Sequence, residues 1–177
     1  VDTTLSLITA AYHSNCGGET CASENVWLTS KTYLKSVKDS FCLNSFNAKW
    51  SYNIPLKKWE NYLKSYQIKT ETGTFDIKDY TFYQPSRITH YKYNDDSIPL
   101  KNIRQDWHLK STFFHVIQKG DQVILKGRGY GHGVGLCQEG AMEMARQGYD
   151  YEKIIKYYYK NIYIVSLRAL DFFKSNE

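Results

Sequence analysis

Gly127-Arg128-Gly129-Tyr130-Gly131-His132-Gly133-Val134-Gly135-Leu136-Cys137-Gln138-Glu139-Gly140-Ala141 is the stretch that decides how this chain reads. It holds six of the eleven glycines, alternating from Gly127 to Gly135. Glycine reaches positive φ without penalty and admits another backbone, or a ligand, at close range. Upstream, Gln122-Val123-Ile124-Leu125 is an apolar strand pattern, and downstream Ala141-Met142-Glu143-Met144-Ala145 is a helical one. The stretch therefore predicts strand, glycine loop, helix. A tight turn needs one or two glycines and not an alternating run. The loop is thus expected to present Arg128, Tyr130, His132 and Gln138 at the floor of a cleft as substrate-binding residues. Backbone N–H groups at the start of the following helix are expected to add partial positive charge there. A plainer role for His132, pinning the loop through a buried hydrogen bond, stands beside the substrate role.

Working outward, 177 residues fit one domain with a real core. Sixteen tyrosines suit a wet, stacking-prone surface such as a carbohydrate cleft, and equally a tyrosine-rich antiparallel β-protein. The net charge of +5 comes without a basic run, zinc-finger spacing or RNA-binding aromatic signature, so no nucleic-acid partner is expected. No apolar stretch is long enough to span a bilayer. The chain opens without a charged n-region and apolar h-region, so any secretion signal is expected to have been removed or to lie outside it.

Leu5 to His13 reads as a strand, and Ser23 as the cap of a single helical turn. Tyr33 to Val37 reads as a strand, as does Lys49 to Asn53, after which Pro55 opens an amphipathic helix through Leu56, Trp59, Tyr62 and Leu63. Tyr66 to Ser97 predicts two or three antiparallel strands, one holding His90 at or near the surface. Pro99 opens a second helix. Thr112 to Ile117 and Gln122 to Lys126 flank Lys119-Gly120-Asp121, a strong hairpin signal whose second strand feeds the glycine loop. Gly148 is placed as a C-terminal cap, Tyr151 to Tyr159 as a helix, and Asn161 to Val165 as a last strand. The whole predicts one compact α+β domain, mainly antiparallel strands with several short helices.

His13-Ser14-Asn15-Cys16-Gly17-Gly18-Glu19-Thr20-Cys21 sets an imidazole and two thiols around a Gly-Gly turn. With Cys42 returning as a fourth donor, His13, Cys16, Cys21 and Cys42 would make a closed tetrahedral zinc site, hence a structural one. Two readings compete with it. One is a disulfide among two of Cys16, Cys21 and Cys42, favoured in an oxidising space; the other is free thiols. A metal-dependent hydrolase fits less well, because a closed shell leaves no position for water.

At Gly127 to Ala141 the sequence resembles the stage II sporulation protein D family, also called the SpoIID/LytB amidase-enhancer domain. That family carries G-R-G-x-G-H-G-V-G-[ML]-[SC]-Q-x-G-A, then a helix and G-Y-[ST]-Y-E-x-I-x-x-x-Y-Y. Gly148-Tyr149-Asp150-Tyr151-Glu152 through Tyr159 is similar to the second part, with Asp150 in place of the usual hydroxyl residue. Ala11-Tyr12-His13-Ser14, Cys16-Gly17-Gly18 and Glu24-Asn25-Val26-Trp27 resemble an upstream block, and Ile103-Arg104 with Leu109-Lys110-Ser111-Thr112 another.

The resemblance implies peptidoglycan. Sporulation members are lytic transglycosylases acting on glycan strands stripped of stem peptides, and relatives enhance a cell-wall amidase. The cleavage uses one carboxylic acid as general acid and then base. The family's catalytic glutamate lies in an N-terminal S-E-M-P block that this chain lacks. Residues 1–177 are accordingly expected to form the C-terminal portion of the family domain. Two functions follow: the cleft part of a lytic transglycosylase completed by a further N-terminal segment, or a non-catalytic glycan-binding or amidase-activating module. Expected partners are peptidoglycan glycan strands and other cell-wall hydrolases. The expected place is the bacterial cell envelope, after export to the periplasmic or extracellular side. Some family members hold metal at the block around His13, which adds to the zinc reading.

Overall fold

The computed structural model of the protein describes residues 1–27, 29–68, 81–93 and 96–166. The hairpin read from the sequence forms its centre. Strands β5 (Phe114–Lys119) and β6 (Gln122–Arg128) pair antiparallel across Gly120-Asp121, and β2 (Lys49–Pro55) adds to the other side of β6. The order is β2-β6-β5. Period-two alternation puts Ile54, Phe114, Val116, Val123 and Leu125 on the buried side. Against that side pack helix α1 (Leu56–Ser65) through Trp59 and Leu63, and the hairpin of β3 (His90–Tyr93) and β4 (Asp96–Pro99) through Tyr91 and Ile98. Helix α2 (Leu100–Asp106) adds Leu100 and Ile103. Pro55 and Pro99 each sit at the position before a helix, where a missing N–H costs nothing.

A second core lies beyond the glycine loop. Strand β1 (Tyr12–His13) pairs in parallel with β7 (Leu136–Cys137). Helices α3 (Gln138–Arg146) and α4 (Tyr151–Tyr158) then bring Met144, Ile154 and Tyr158 against Tyr33, Leu34, Val134 and all four cysteines. Gly148, at φ +87, ends α3 in the left-handed conformation, with Tyr149 N donating to Met144 O. The Asp150 carboxylate caps α4, accepting from Lys153 N at 2.8 Å. A carboxylate and a hydroxyl can both fill that role, which accounts for Asp150 at a hydroxyl position. The fold is thus α+β in one body, with the glycine loop leaving the first core and entering the second.

Some expected elements are shorter or of another kind. From Leu5 to His13 only Tyr12 and His13 are strand, because Leu5 and Leu7 lie exposed with no neighbouring strand to pair with. Tyr33 to Val37 is not a strand. Tyr33, Leu34 and Val37 are buried, but the carbonyls of Leu34 and Val37 accept singly from Ser23 N and Thr20 N instead of forming a ladder. The last strand is one bridge, Ile162 with Asp2, beside Asn161 at φ +52. A 3-10 turn does occupy Ser23–Asn25, but Ala22 stands at its cap and Ser23 Oγ accepts from Lys31 N. Among the described residues between Tyr66 and Ser97 two strands are present, His90 is exposed on one, and Phe82 bridges Val116. Residues 69–80 and 94–95 of that expectation lie outside the described residues.

Candidate functional site

The alternating glycines let the loop lie flat against residues 11–17. A Cβ at Gly135, φ +74, would stand 2.1 Å from Ala11 O. One at Gly133, φ +83, would stand 2.8 Å from the Arg87 guanidinium carbon. With side chains absent, the backbones pair directly. Asn15 N donates to Tyr130 O and Tyr130 N to Asn15 O, at 3.1 and 2.8 Å. Leu136 N donates to Ala11 O, Glu139 N to Ser14 O, and Cys21 N to Gly133 O. The amides expected to face a ligand at the start of α3 are therefore taken up: Glu139 N by Ser14 O and Gly140 N by Cys137 Sγ.

Between the two cores runs a cleft of about 930 Å³. Trp27 and Glu24 stand on one wall, α2 with Lys101 and Arg104 on the other, and Tyr130 and His132 project from the loop. Tyr130 is 44% exposed, with the Lys110 ammonium 5.6 Å from its ring centre. His132 is half-buried; its Nδ1 accepts from Val134 N at 3.0 Å, so the ring proton is on Nε2. Burial lowers its pKa, and the charges of Arg104 and Arg87 push the same way, so the ring is neutral at pH 7. A tilted ring series runs inward from the cleft, Trp27 to His132 at 5.8 Å and His132 to His13 at 5.6 Å.

Of the four expected substrate residues, Tyr130 and His132 line the cleft, whereas Arg128 and Gln138 do not. The Arg128 guanidinium lies 3.8 Å over the Phe113 ring and donates to Gln84 O and Pro85 O. As the last residue of β6 it follows strand alternation to the opposite side of the loop. Gln138 is the exposed first residue of α3. The helix opened by Pro99 was expected, but its part in the cleft was not: the outer side of α2 supplies much of the opposite wall.

The expected metal donors separate in the same way. Cys16 and Cys42 come together, but with Cys137 and Asp39 and not with His13 and Cys21. All four ligand atoms of the new group lie within 4.8 Å of one another, and all four residues are fully buried. Cys16 Sγ is 3.3 Å from Cys42 Sγ and 3.2 Å from Asp39 Oδ2. Asp39 is held by Tyr158 OH at 2.9 Å and Phe41 N at 2.9 Å. Hydrogen bonds from the Cys137 and Cys16 thiols lower the Cys42 pKa. His13 instead turns Nδ1 to Val134 O at 3.2 Å, and burial pushes its pKa down to about 3. Cys21 lines the cleft. The cause is the turn at Gly17 and Gly18, both at positive φ, which carries the chain from the cysteine cluster to the cleft side of the loop. No cysteine is in a disulfide; all four are free thiols. The buried group of three thiols and a carboxylate could bind a metal ion.

Two carboxylates near the loop are unsuited to act as acids. Glu139 accepts from Asn15 Nδ2 at 2.7 Å, Ser45 Oγ, and Asn47 Nδ2 at 2.5 Å. Burial would raise its pKa, but those bonds outweigh it and hold the carboxylate below the usual range. Glu24 is exposed, and the Lys35 ammonium at 2.8 Å is the main cause of a pKa down at about 2. Among the described residues no helix is long and apolar enough to cross a membrane.

Comparison with known proteins puts this site in context. No family model matches the chain. An uncharacterised protein of Brachyspira hyodysenteriae is 31% identical over 169 residues, covering 93% of this chain and 45% of the relative. Stage II sporulation protein D of Bacillus subtilis is 30% identical over 158 residues, covering 89% and 45%. The amidase enhancer of Bacillus subtilis is 27% identical over 212 residues, covering 91% and 30%. The chain spans less than half the length of each of these relatives.

Proposed function

Because this chain belongs to the SpoIID/LytB family, we propose that its cleft receives a glycan strand of peptidoglycan. The observation that carries this reading is the cleft itself: about 930 Å³ of open space with the faces of Trp27 and Tyr130 beside the neutral, hydrogen-bonded His132. Flat aromatic faces suit the apolar faces of sugar rings, and the tyrosine hydroxyl and imidazole suit their hydroxyl and N-acetyl groups. Arg128 and Gln138 have no part in it.

Cleavage by a lytic transglycosylase route needs one carboxylic acid that is protonated when the glycosidic oxygen leaves. Glu24 and Glu139 are both held ionised. The acid is therefore proposed to come from a segment of the full protein outside residues 1–177. A second reading, a glycan-binding module that activates a cell-wall amidase, is favoured by the same lack of a free acid among the described residues of the cleft and by the relative named amidase enhancer. Either role puts the protein in the bacterial envelope, exported, in company with other cell-wall hydrolases. Incubation of this chain with peptide-stripped strands, read by co-sedimentation and by mass spectrometry for 1,6-anhydro ends, is expected to give binding without products. Products from this chain alone would overturn the acid assignment, and absence of binding would overturn the cleft assignment.

We also propose that Cys16, Cys42, Cys137 and Asp39 hold one structural zinc ion. Three thiols and a carboxylate at mutual bonding range, buried and backed by Tyr158, are a donor set that zinc favours. With four protein donors the shell is closed, so the ion would tie the 39–42 turn to β7 and the head of α3. Elemental analysis should give about one zinc per chain. It should be lost in Cys137→Ser and kept in Cys21→Ser and His13→Ala; the reverse pattern would restore the donor set expected from sequence.

A further inference from the structure

The cleft's two walls differ in charge. Lys101 and Arg104 stand one helical turn apart on α2, at a spacing that puts them on the same side, and Lys110 follows within the same wall. Among the described residues, none of the three has a carboxylate partner. The one carboxylate lining the cleft, Glu24, is already bound to Lys35. A surplus of solvated lysines would be unremarkable, but Arg104 is not a solvated side chain. It is half-buried, and its Nε donates to Leu109 O at 3.3 Å, which fixes the plane of the guanidinium. Arginine is rarely withdrawn from water without an anionic partner. Its charge is felt at His132 and Tyr130, so it stands close to both loop residues. Lys110 adds a second charge over the Tyr130 ring and lies 5.8 Å from the ring centre of the outlying Phe46.

We propose that Arg104, flanked by Lys101 and Lys110, is a carboxylate-binding subsite of this cleft, and that its ligand is an acidic sugar with a free carboxylate. The inference rests on the glycan reading above and adds a specificity-determining residue that reading does not contain. In a peptidoglycan strand the group concerned is the lactyl carboxylate of muramic acid, free when the stem peptide is gone and converted to an amide when it is present. A guanidinium held by its Nε offers its terminal N–H groups as a fork, which matches a carboxylate and not a neutral amide. The sugar ring on Tyr130 and the carboxylate on Arg104 would then be held together, fixing which sugar occupies the loop position.

The test uses three strand preparations: peptide-stripped strands with free carboxylates, the same strands with the carboxylates converted to methylamides, and strands still carrying stem peptides. The chain should bind the first about tenfold or more tightly than the second, a difference of about 1.4 kcal/mol or more. The third should bind as weakly as the second, although its peptides carry carboxylates of their own. Arg104→Gln should bind free and methylamide strands alike, with its melting temperature checked against wild type; Arg104→Lys keeps the charge without the fork and should recover part of the preference. Equal, tight binding of free and methylamide strands by wild type would overturn this inference while leaving the glycan reading intact. Tight binding of peptide-bearing strands would move the anion to the peptide and overturn the sugar assignment. Binding of none of the three would overturn both.

Discussion

Gly135→Ala tests the packing that holds the cleft together. The new methyl would stand 2.1 Å from Ala11 O and 3.3 Å from Ala11 Cβ, and the residue would have to keep φ +74. A left-handed alanine costs about 1–2 kcal/mol by itself. The oxygen it meets accepts the Leu136 N–H at 3.0 Å, so relieving the clash separates β1 from β7 and forfeits a bond worth about 1 kcal/mol. The sum is about 2–3 kcal/mol, which for a domain of this size lowers the melting temperature by about 4–12 °C. Gly148→Ala is the internal control. Its φ is +87, but a methyl there meets nothing within 4 Å, so only the dihedral cost of about 1–2 kcal/mol remains. Thermal melts of both variants by circular dichroism separate clash from conformation. A Gly135→Ala protein that melts within 2 °C of the Gly148→Ala protein would refute the claim that the loop and β1 are locked by direct backbone contact.

Three further outcomes are expected. Asp150→Ala should lose about 1 kcal/mol of helix capping, while Asp150→Ser should melt close to wild type, checked by the same melts. Glu139→Ala removes the acceptor shared by Asn15, Ser45 and Asn47, and should cost about 2–3 kcal/mol in denaturant unfolding without abolishing glycan binding. Tyr130→Ala, at an exposed position, should weaken binding to stripped strands about tenfold with a nearly unchanged melting temperature, whereas His132→Ala should also lower melting, because its ring accepts the Val134 amide.

The sequence was most informative where one local pattern had one physical outcome. Alternation in Phe114 to Leu125 gave the hairpin, the prolines marked both helix starts, and Gly148 marked a helix end. It was least informative where the partner lies far along the chain. The pairing of β1 with β7 joins residues 124 apart, and it is this pairing that brings Cys137 beside Cys16. Spacing alone grouped the thiols nearest in sequence, yet the Gly17-Gly18 turn sends Cys21 to the cleft. Asp39 had no local signature; a buried carboxylate between two tyrosine-rich segments becomes visible only when Tyr158 reaches it. Arg128 carried the strongest motif and proved to be a packing residue on Phe113, while Arg104, in a short helix with no glycine near it, stands in the cleft.

The proposal that the cleft receives a glycan strand is tested most directly by the indole N–H resonances of the four tryptophans during titration with peptide-stripped strands. Trp27 lines the cleft, whereas Trp59 is fully buried in the first core and Trp50 packs at its edge. The account predicts a saturable shift of the Trp27 resonance with Trp50 and Trp59 unmoved. Saturating strands that leave Trp27 where it was would contradict it.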